Sequence, residues 1–449
     1  MFKNSLVFVI AVQCLFGTGS GSNVGTLSAV QLRGSGVTVA SRNPAILGFE
    51  IPQVDTTILE NELVQDDSIK APPTLPSMMG SKFSMSLVDV DLSLQNNGVS
   101  ANWINNSLFG GLDLRHKKDY DQFMEPFGSD IGLQIPVQFH SLNFTYKSFG
   151  VHWVQPKVLT NMNIPNSFVK MVINGVEDGN KIDLSSLSFH SLAYMPISFQ
   201  YGGILSKKVK GKEIFYGIGL NLNIGLSEFN GTLENASIHI EEGVATLAGA
   251  SYLNSNMSVD TLLNPGFGVG LDVGFMSPIN QKLTVGLSLK NIGTGISFEG
   301  KTGYEGTLAG TFQSDKLFDA LSDSSDVYLT QMENNTGGAY SVSLPIEFAL
   351  SGSYTINPML VTDVTLMTDF GPSPYKKGTK LVSSMEYALT GKNTVQLSAG
   401  INSLSGLEIG MGHTLKIGSF NWDFGIAQSG GVLSQGKGVR FGTGFWLDF

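Results

Sequence analysis

The residues of this sequence that could carry out chemistry are few and scattered. Its six histidines lack metal-ligand spacing. The sequence also contains no His-Glu-x-x-His motif, no nucleophile elbow and no Cys/His cluster. His152 in FGVHWVQ and His190, close to Ser188 and Ser191, are the candidates for the Ser/His pair that some lipid-cleaving barrels use. An isolated histidine on a strand or loop is the simpler interpretation. We therefore expect no enzyme activity, no metal and no cofactor.

The composition limits the partners and the compartment. The net charge of −10 excludes a nucleic-acid-binding surface, since a polyanion requires a basic face. Lys3 followed by the apolar stretch LVFVIAVQCLF predicts a signal peptide over residues 1–22. The only cysteine, Cys14, would be removed with it, and Gln13 in front of it disfavours a lipoprotein. The mature chain must then be stable without disulfides.

The elements that must position any site are strands with a period of two. In EIFYGIGLNLNIGL, Ile218, Leu220 and Leu222 fall on one face, whereas Gly219 and Asn221 fall on the other. This alternation is longer than a typical soluble strand and recurs along the chain. Short turns alternate with long connections, as in outer-membrane barrels. Residues 83–449 are therefore predicted to form an all-β transmembrane antiparallel barrel of about 14 strands, within a range of 12–16.

The segment before the barrel does not fit the strand pattern. Residues 23–82 include the polar stretch ENELVQDDSIK and the proline-rich APPTLPS. Either would be costly as a membrane strand, so we predict an N-terminal hatch or plug in the lumen, or a periplasmic pad. Within the long connections, two short helices are predicted, over residues 164–174 and 314–323.

The chain ends on an amphipathic strand, RFGTGFWLDF. Because a sheet edge is not tolerated in lipid, this strand is predicted to close the ring against the first one. Phe445, Leu447 and Phe449 would face lipid and form a terminal signal for the barrel assembly machinery. The alternative is a buried last strand of a soluble sandwich, which the signal peptide and the repeated strands disfavour.

At SRNPAILGF the sequence resembles the FadL-like outer-membrane transport family, whose members carry an Asn-Pro-Ala motif in the N-terminal hatch. Here the motif is Asn43, Pro44 and Ala45. The stretch NGVEDGNKIDLSSLSFHSLAYMPISFQYGGILSKK also looks like an uncharacterised Bacteroidetes-type branch of long FadL-like barrels. The resemblance implies uptake of hydrophobic compounds, which leave sideways through a kink in the barrel wall. The sequence offers few basic residues near the motif, Arg33 and Arg42, so a carboxylate-headed cargo is not implied.

Two functions follow as hypotheses for a protein of a Gram-negative outer membrane. The first is a FadL-like channel for passive uptake of a small hydrophobic compound. The second is a barrel that serves as scaffold or shuttle in secretion, conjugation or surface assembly without transport. The expected partners are outer-membrane lipid, lipopolysaccharide and the assembly machinery, but no nucleic acid. An apolar lumen with a side opening would favour the channel, and a polar or closed lumen the scaffold.

Overall fold

A computed structural model describes most of the chain beyond the predicted signal peptide. The described residues are 21–32, 37, 40–48, 83–108, 117–174, 179, 181–206, 213–242, 244–256, 264–299, 301–313, 329–337, 339–375 and 377–449. Side chains are described over most of this range, but not between residues 301 and 338. The predicted signal residues 1–20, the second half of the predicted hatch and the predicted helix at 314–323 lie outside the described residues.

The strands form one antiparallel sheet of 22 strands. Their bounds are β1 Phe83–Asn96, β2 Ile131–Gln134, β3 Val137–Tyr146, β4 Phe149–Val154, β5 Lys157–Ile164, β6 Lys181–Asp183, β7 Ser188–Ser206, β8 Ile214–Glu241, β9 Val244–Ser255, β10 Gly266–Pro278, β11 Leu283–Gly293, β12 Ile296–Phe298, β13 Lys301–Gln313, β14 Leu329–Gly337, β15 Tyr340–Val342, β16 Ile346–Asn357, β17 Leu360–Phe370, β18 Lys380–Thr390, β19 Asn393–Asn402, β20 Gly406–Ile417, β21 Phe420–Ser429 and β22 Gly438–Asp448. The α-helices are α1 Gly21–Gly25, α2 Ala101–Leu108, α3 Lys117–Met124 and α4 Asn166–Asn174. Short 3₁₀ helices cover Pro44–Gly48, Glu125–Gly128 and Leu433–Gln435.

The sheet closes on itself between its first and last strands. β1 pairs with β22 from Ser84 opposite Asp448 to Gln95 opposite Gly438. The terminal Phe449 completes the pairing, since its N–H donates to the Phe83 carbonyl at 2.9 Å. The predicted all-β closed barrel, with the last strand joined to the first, is therefore confirmed. Closure satisfies the backbone groups of both strands, as a hydrocarbon environment requires.

Side chains alternate between the two faces of the wall as the sequence predicts. On β8, Ile218, Leu220 and Leu222 are 46%, 52% and 41% exposed on the outer face. Asn221, between them, points into the lumen and is only 4% exposed. Exposed apolar side chains continue around the outer face on the neighbouring strands. A closed ring with an apolar exterior and a polar interior is an outer-membrane barrel, so the bacterial outer membrane is its location.

The two ends of the barrel differ in the length of their connections. β16 and β17, β18 and β19, and β20 and β21 are joined by two residues each, at 358–359, 391–392 and 418–419. The start of β1 and the end of β22 lie at the same end as these turns. Short turns and chain termini mark the periplasmic end of such barrels, so the long connections lie on the extracellular side.

The strand count and several connections differ from the sequence prediction. The range of 12–16 covers the closed ring. The sheet of 22 strands is larger because it also counts the separate parts of broken strands and the strands beyond the ring. Regions predicted as loops, at 228–264 and 300–340, contain the distal part of β8 together with β9, β13 and β14. These strands pair with one another beyond the ring. There they need no lipid-facing alternation, which is why the membrane pattern did not reveal them.

Breaks within strands account for further differences. β2 and β3 are separated at Ile135–Pro136, so the strand predicted at 131–139 appears in two parts. β5, which follows β4 after Gln155–Pro156, lies in the connection predicted at 155–192. β1 ends at Asn96 rather than near residue 109, because helix α2 follows it. The predicted helix at 164–174 is confirmed as α4, which begins after Pro165. In the described part of the chain, no helix is long and apolar enough to cross a membrane.

Candidate functional site

The N-terminal motif lies against the inner wall of the barrel. Asn43, Pro44 and Ala45 are buried, and a 3₁₀ helix begins at Pro44. The Asn43 Oδ1 atom accepts a hydrogen bond from the Ala45 N–H at 3.0 Å, the local bond that favours Asn before a turn. Asn43 Nδ2 also approaches the Phe275 carbonyl on β10 at 3.4 Å. The motif is thus a compact turn held against the wall.

Glycines of the wall make room for this turn. A Cβ atom at Gly217 on β8 would overlap the backbone of Pro44 and Ala45. At Gly274 on β10, a Cβ would overlap the Asn43 side chain. On β7, a Cβ at Gly202 would overlap the backbone of Leu47 and Gly48, and a Cβ at Gly48 would overlap the β7 backbone in turn. These lumen-facing glycines therefore allow a close approach that any larger residue would prevent.

A second part of the N-terminal segment contacts the opposite wall. Helix α1 and the residues after it meet β19, β20 and β17. The Ser398 hydroxyl donates to the Gly25 carbonyl at 2.7 Å, and the Thr365 hydroxyl to the Ala29 carbonyl at 2.7 Å. The segment therefore crosses the lumen and is anchored to both sides.

Arg42 carries the charge of this segment into the lumen. Its Nη1 atom donates to the Val30 carbonyl at 2.7 Å, which joins the two anchored parts. Asp89 on β1 and Asp423 on β21 are close enough to act electrostatically on Arg42. Asp89 and Asp423 both pair with Gly444 on β22, one from each neighbouring strand. The two carboxylates therefore lie at the same level of three adjacent strands. With an arginine facing two carboxylates inside the lumen, each charge partly offsets the desolvation of the other.

A cavity of about 250 Å³ lies beside the N-terminal segment and is lined mainly by polar side chains. Lys290 and Lys377 both bind Glu347, with Nζ–Oε distances of 3.4 and 2.7 Å. Lys380 pairs with Glu408. Arg440 binds Asp91 through both carboxylate oxygens, one of them at 2.7 Å from Nε. Most charges in the cavity are therefore paired with an opposite charge from a neighbouring strand.

An apolar cluster lies further toward the extracellular end. Phe298 and Tyr340 stack with ring centroids 5.4 Å apart. The Tyr340 hydroxyl donates to Glu228 at 2.9 Å. The buried members of the cluster are Leu159, Leu192, Tyr194, Ile296, Phe298, Leu344 and Tyr375. The polar cavity is thus bounded by apolar side chains on its extracellular side and by the N-terminal segment on its periplasmic side.

The wall is interrupted at the level of the cavity. Pro136 and Pro156 interrupt two adjacent strands, and Pro196 lies in the next one, β7. None of the three can donate a ladder hydrogen bond. The remaining backbone groups still pair across the break, since the Ile135 N–H donates to the Thr160 carbonyl at 2.9 Å. The arrangement is a kink in the wall rather than a hole.

The C-terminal residues form part of an aromatic belt at the periplasmic end. Phe445 stacks on Trp422 at a centroid distance of 6.2 Å and lies 5.9 Å from Phe420. Phe449 is exposed and 5.9 Å from Phe83. Phe445, Leu447 and Phe449 therefore share the outer face, as the alternation predicts. Their use as an assembly signal stays a prediction.

Among the contacts of the described residues, neither candidate histidine forms a hydrogen bond with a serine. His152 is fully buried in the lumen, where its Nε2 atom lies 3.2 Å from Gln200 Oε1. His190 and Ser191 are neighbours on β7 and point to opposite faces. The Ser191 hydroxyl bonds Thr160 at 3.1 Å instead. In the described part of the chain, no cluster of residues is arranged to hold a metal ion.

Sequence reasoning missed the charged residues of the cavity. The most prominent are Asp91, Lys290, Glu347, Lys380, Glu408 and Arg440. The available signal was a charged residue on the small or polar face of a predicted membrane strand. Such residues are expensive in lipid and therefore point to the lumen.

Comparisons with known proteins agree with this architecture. Solved structures match along nearly the whole chain. The Ralstonia pickettii toluene transporter TbuX is 10% identical, with a TM-score of 0.49, 96% of this chain covered and 98% of that one. The P. putida toluene transporter TodX is 10% identical, with a TM-score of 0.46 and coverage of 96% and 99%. The CymD monoaromatic hydrocarbon channel is 9% identical, with a TM-score of 0.49 and coverage of 96% of this chain and 98% of that one. At about 10% identity, these likenesses concern the fold alone.

Sequence comparison identifies the family more directly. No curated protein matches the sequence significantly. The model of one family, described as a family of unknown function, matches residues 76–426, which is most of the barrel. The chain therefore belongs to this family of unknown function, DUF5723.

Proposed function

We propose that this barrel is a passive channel through which a small hydrophobic compound enters the cell, with residues 23–82 as its hatch. The observation that carries the proposal is the fit between the N-terminal turn and the wall. Pro44 and Ala45 lie in space that Gly217 leaves free, on the periplasmic side of the cavity. A segment that only lined the pore would not need backbone-to-backbone contact. A hatch that must hold one shape across the lumen does.

The kink at Pro136 and Pro156 supports an exit for the compound through the wall. It adjoins the cavity, since Pro136 and Gln155 are among the residues that line it. A strand with fewer ladder hydrogen bonds separates from its neighbour at lower cost. A hydrophobic compound that leaves here enters the bilayer without crossing the hatch.

The polar cavity narrows the class of compound. A purely apolar molecule would gain little from a cavity lined by ion pairs, because it would displace water from charged groups. The cargo that fits best combines a hydrophobic body with a polar group. In this respect the proposal departs from a channel for simple hydrocarbons.

A matched pair of substitutions tests the hatch. Gly217→Ala places a methyl group against the Pro44 backbone, whereas Gly270→Ala on the adjacent strand meets only the side chains of Asn221 and Asn223, at ordinary distances of 3.5–3.7 Å. Both glycines face the lumen. We expect vesicles with the Gly217 variant to swell faster in small solutes, while the Gly270 variant behaves as wild type. Replacing Asn43 and Pro44 with Gly should reproduce the leak.

Uptake of a labelled fatty acid by cells that carry each variant completes the test. A change in uptake for the Gly217 and Asn43/Pro44 variants, with equal amounts of folded barrel, would support a hatch that controls entry. If the assembled variants matched wild type in both swelling and uptake, the proposed function would fail.

A scaffold function is the second candidate. The polar cavity and the wall that kinks without opening are the features expected of a scaffold, and the extension of the sheet beyond the ring also favours it. The distal part of β8 pairs with β9, and β9 with β13, outside the membrane. A small core that includes Met171, Ile238 and Leu247 supports this region. A deletion strain with normal uptake but defective assembly of a surface structure would favour the scaffold over the channel.

A further inference from the structure

The connection between β17 and β18 folds into the barrel instead of standing above it. Its described residues are 371–375 and 377–379, which we call the strap. Loops usually run over the protein surface, yet Ser373 and Tyr375 of the strap are only 5% and 4% exposed. The Tyr375 side chain belongs to the apolar cluster that bounds the cavity on its extracellular side. The strap therefore contributes to the closure of the lumen above the cavity.

The strap reaches the wall opposite its own strands. Around the ring, β7, β8, β10, β11 and β16 separate β5 from β17 in one direction. In the other direction, β19 to β22, β1 and β2 separate β5 from β18. The Asn161 amide on β5 nevertheless donates a hydrogen bond to the Pro374 carbonyl at 2.5 Å. The strap thus spans the lumen from one side of the ring to the other.

An ion pair holds the returning half of the strap. Lys377 Nζ lies 2.7 Å from Glu347 Oε1 on β16, and the Lys377 N–H donates to Asp369 at 2.6 Å. Lys290 also binds Glu347, at 3.4 Å, so this carboxylate keeps a counter-charge if the strap moves away. Breaking a buried ion pair is most costly when it leaves a charge unpaired. The second lysine lowers that cost, so the contact can open.

Glycines lie at the two ends of the strap. Gly371 and Gly378 have φ values of +95° and +82°, in the left-handed region that favours glycine. At Gly371 a Cβ would meet no atom within 4 Å, whereas at Gly378 it would overlap the β19–β20 connection. Pro372 and Pro374 fix φ in between and stiffen the middle. The strap is therefore a stiff segment between two glycines, open to movement at its first end and held at its second.

We propose that the strap is an entrance gate, which closes the extracellular side of the cavity and moves outward to admit a compound. Three contacts hold its tip: the buried Tyr375 ring, the Asn161–Pro374 hydrogen bond and the Lys377–Glu347 ion pair. With the N-terminal segment on the periplasmic side, the cavity becomes a chamber with two separate closures. The role of the gate in uptake rests on the proposed channel, but its closure of the lumen does not.

Access to the cavity from outside the cell tests the closure. Gln138→Cys places a reporter thiol on the lumen face of β3, where Gln138 lines the cavity. Cys14, the only cysteine of the sequence, lies in the predicted signal peptide. Labelling of the reporter by a membrane-impermeant sulfonated maleimide is timed on intact cells and quantified by mass spectrometry. The strap variants Tyr375→Ala and Lys377→Gln are compared with Lys437→Gln, which changes a lysine in the connection between β21 and β22.

We expect slow labelling with the wild-type strap and in the Lys437 variant. Labelling should speed up roughly 100-fold for Tyr375→Ala, because a large buried side chain is lost. For Lys377→Gln the increase should be roughly threefold, since the Lys377 side chain is half-exposed and its ion pair contributes less. Folding of each barrel is verified by its heat-dependent mobility on a gel. Fast labelling with the wild-type strap, or no increase in either folded strap variant, would overturn the proposal.

A cross-link across the lumen tests the role of the strap in uptake. Asn161→Cys with Pro374→Cys ties the tip of the strap to β5. Thr368→Cys with Thr379→Cys is the matched control, because it ties only the base, where the two hydroxyls lie 2.8 Å apart. Oxidation should stop uptake of a labelled fatty acid by the first variant and not by the second, and reduction should restore it.

The two measurements separate the gate from the channel. If wild-type cells take up the fatty acid and the tip variant with a verified disulfide does so equally well, the entrance gate is refuted. If wild-type cells take up nothing, the proposed channel fails, and the labelling rates still decide whether the strap closes the lumen.

Discussion

Replacing Leu220 with Arg tests the orientation of the wall most directly. Leu220 lies in the middle of the part of β8 that belongs to the ring, and it is 52% exposed on the outer face. Its partners in register are Phe199 and Leu271, which are also exposed and apolar. The substituted guanidinium would therefore lie in hydrocarbon with no polar neighbour on that face.

The expected cost follows from this depth. A cation on the lipid face near the midplane destabilises a membrane barrel by roughly 2–4 kcal/mol. Since about 1.4 kcal/mol is a factor of ten, the folding equilibrium should fall by roughly 30- to 700-fold. Asn221→Arg carries the same charge to the lumen, where Asp272 also lines the cavity. Its loss of stability should be far smaller.

Equilibrium folding from urea into lipid vesicles, followed by tryptophan fluorescence, measures the difference. Leu220→Ala is the control that separates the lost leucine from the added charge. We expect the order of stability to be wild type, then the Asn221 and Leu220→Ala variants, and last Leu220→Arg. If the two arginine variants lost the same stability, the faces or the depth assigned to β8 would be wrong.

Other predictions concern the two ends of the barrel. Deleting Phe449 should leave most of the protein degraded in the periplasm while the purified variant still refolds; normal surface levels would exclude an assembly role. On the extracellular side, the pKa of the Asp130 carboxyl is lowered, chiefly by the Ser186 hydroxyl that donates to it at 2.7 Å. This contribution to stability is present above the unfolded pKa of about 3.9 and is lost as the pH falls through the lower folded value. Hydrogen exchange at the Asn166 amide, which donates to the same carboxylate, should therefore speed up at acidic pH relative to its intrinsic rate. An Asp130→Asn variant should lose this pH dependence, and unchanged exchange in wild type would contradict the assignment.

The sequence predicts well which side chains of the wall face lipid, because every second side chain of a membrane strand must be compatible with the hydrocarbon. Leu220 and Asn221 could be assigned to opposite faces without a structure, since a strand in a bilayer has no other way to separate its side chains. The distal half of β8 could not be assigned in this way. It leaves the membrane, pairs with β9, and needs only the weaker preferences of a solvent-exposed sheet.

The cavity could not be predicted for a different reason. Lys290 and Glu347 are far apart in the sequence and meet because β11 pairs with β16 in one register. A shift of one residue would turn one of them to the lipid face. Sequence patterns show that Lys290 and Glu347 both point inward. Which charge each one meets depends on the register between strands that long loops connect, and the sequence patterns do not give that register.

The same limit explains why Lys157 is the informative residue of the lumen. In a barrel whose registers are fixed, inward charges that serve only stability should be paired, because an unpaired charge is costly to desolvate. The pairs at Glu347, Glu408 and Asp91 follow this expectation. Lys157 does not, and it lies next to the break at Pro156 rather than in regular wall. A charge with no ion pair among the described residues, next to a break in the wall, is not explained by strand register alone.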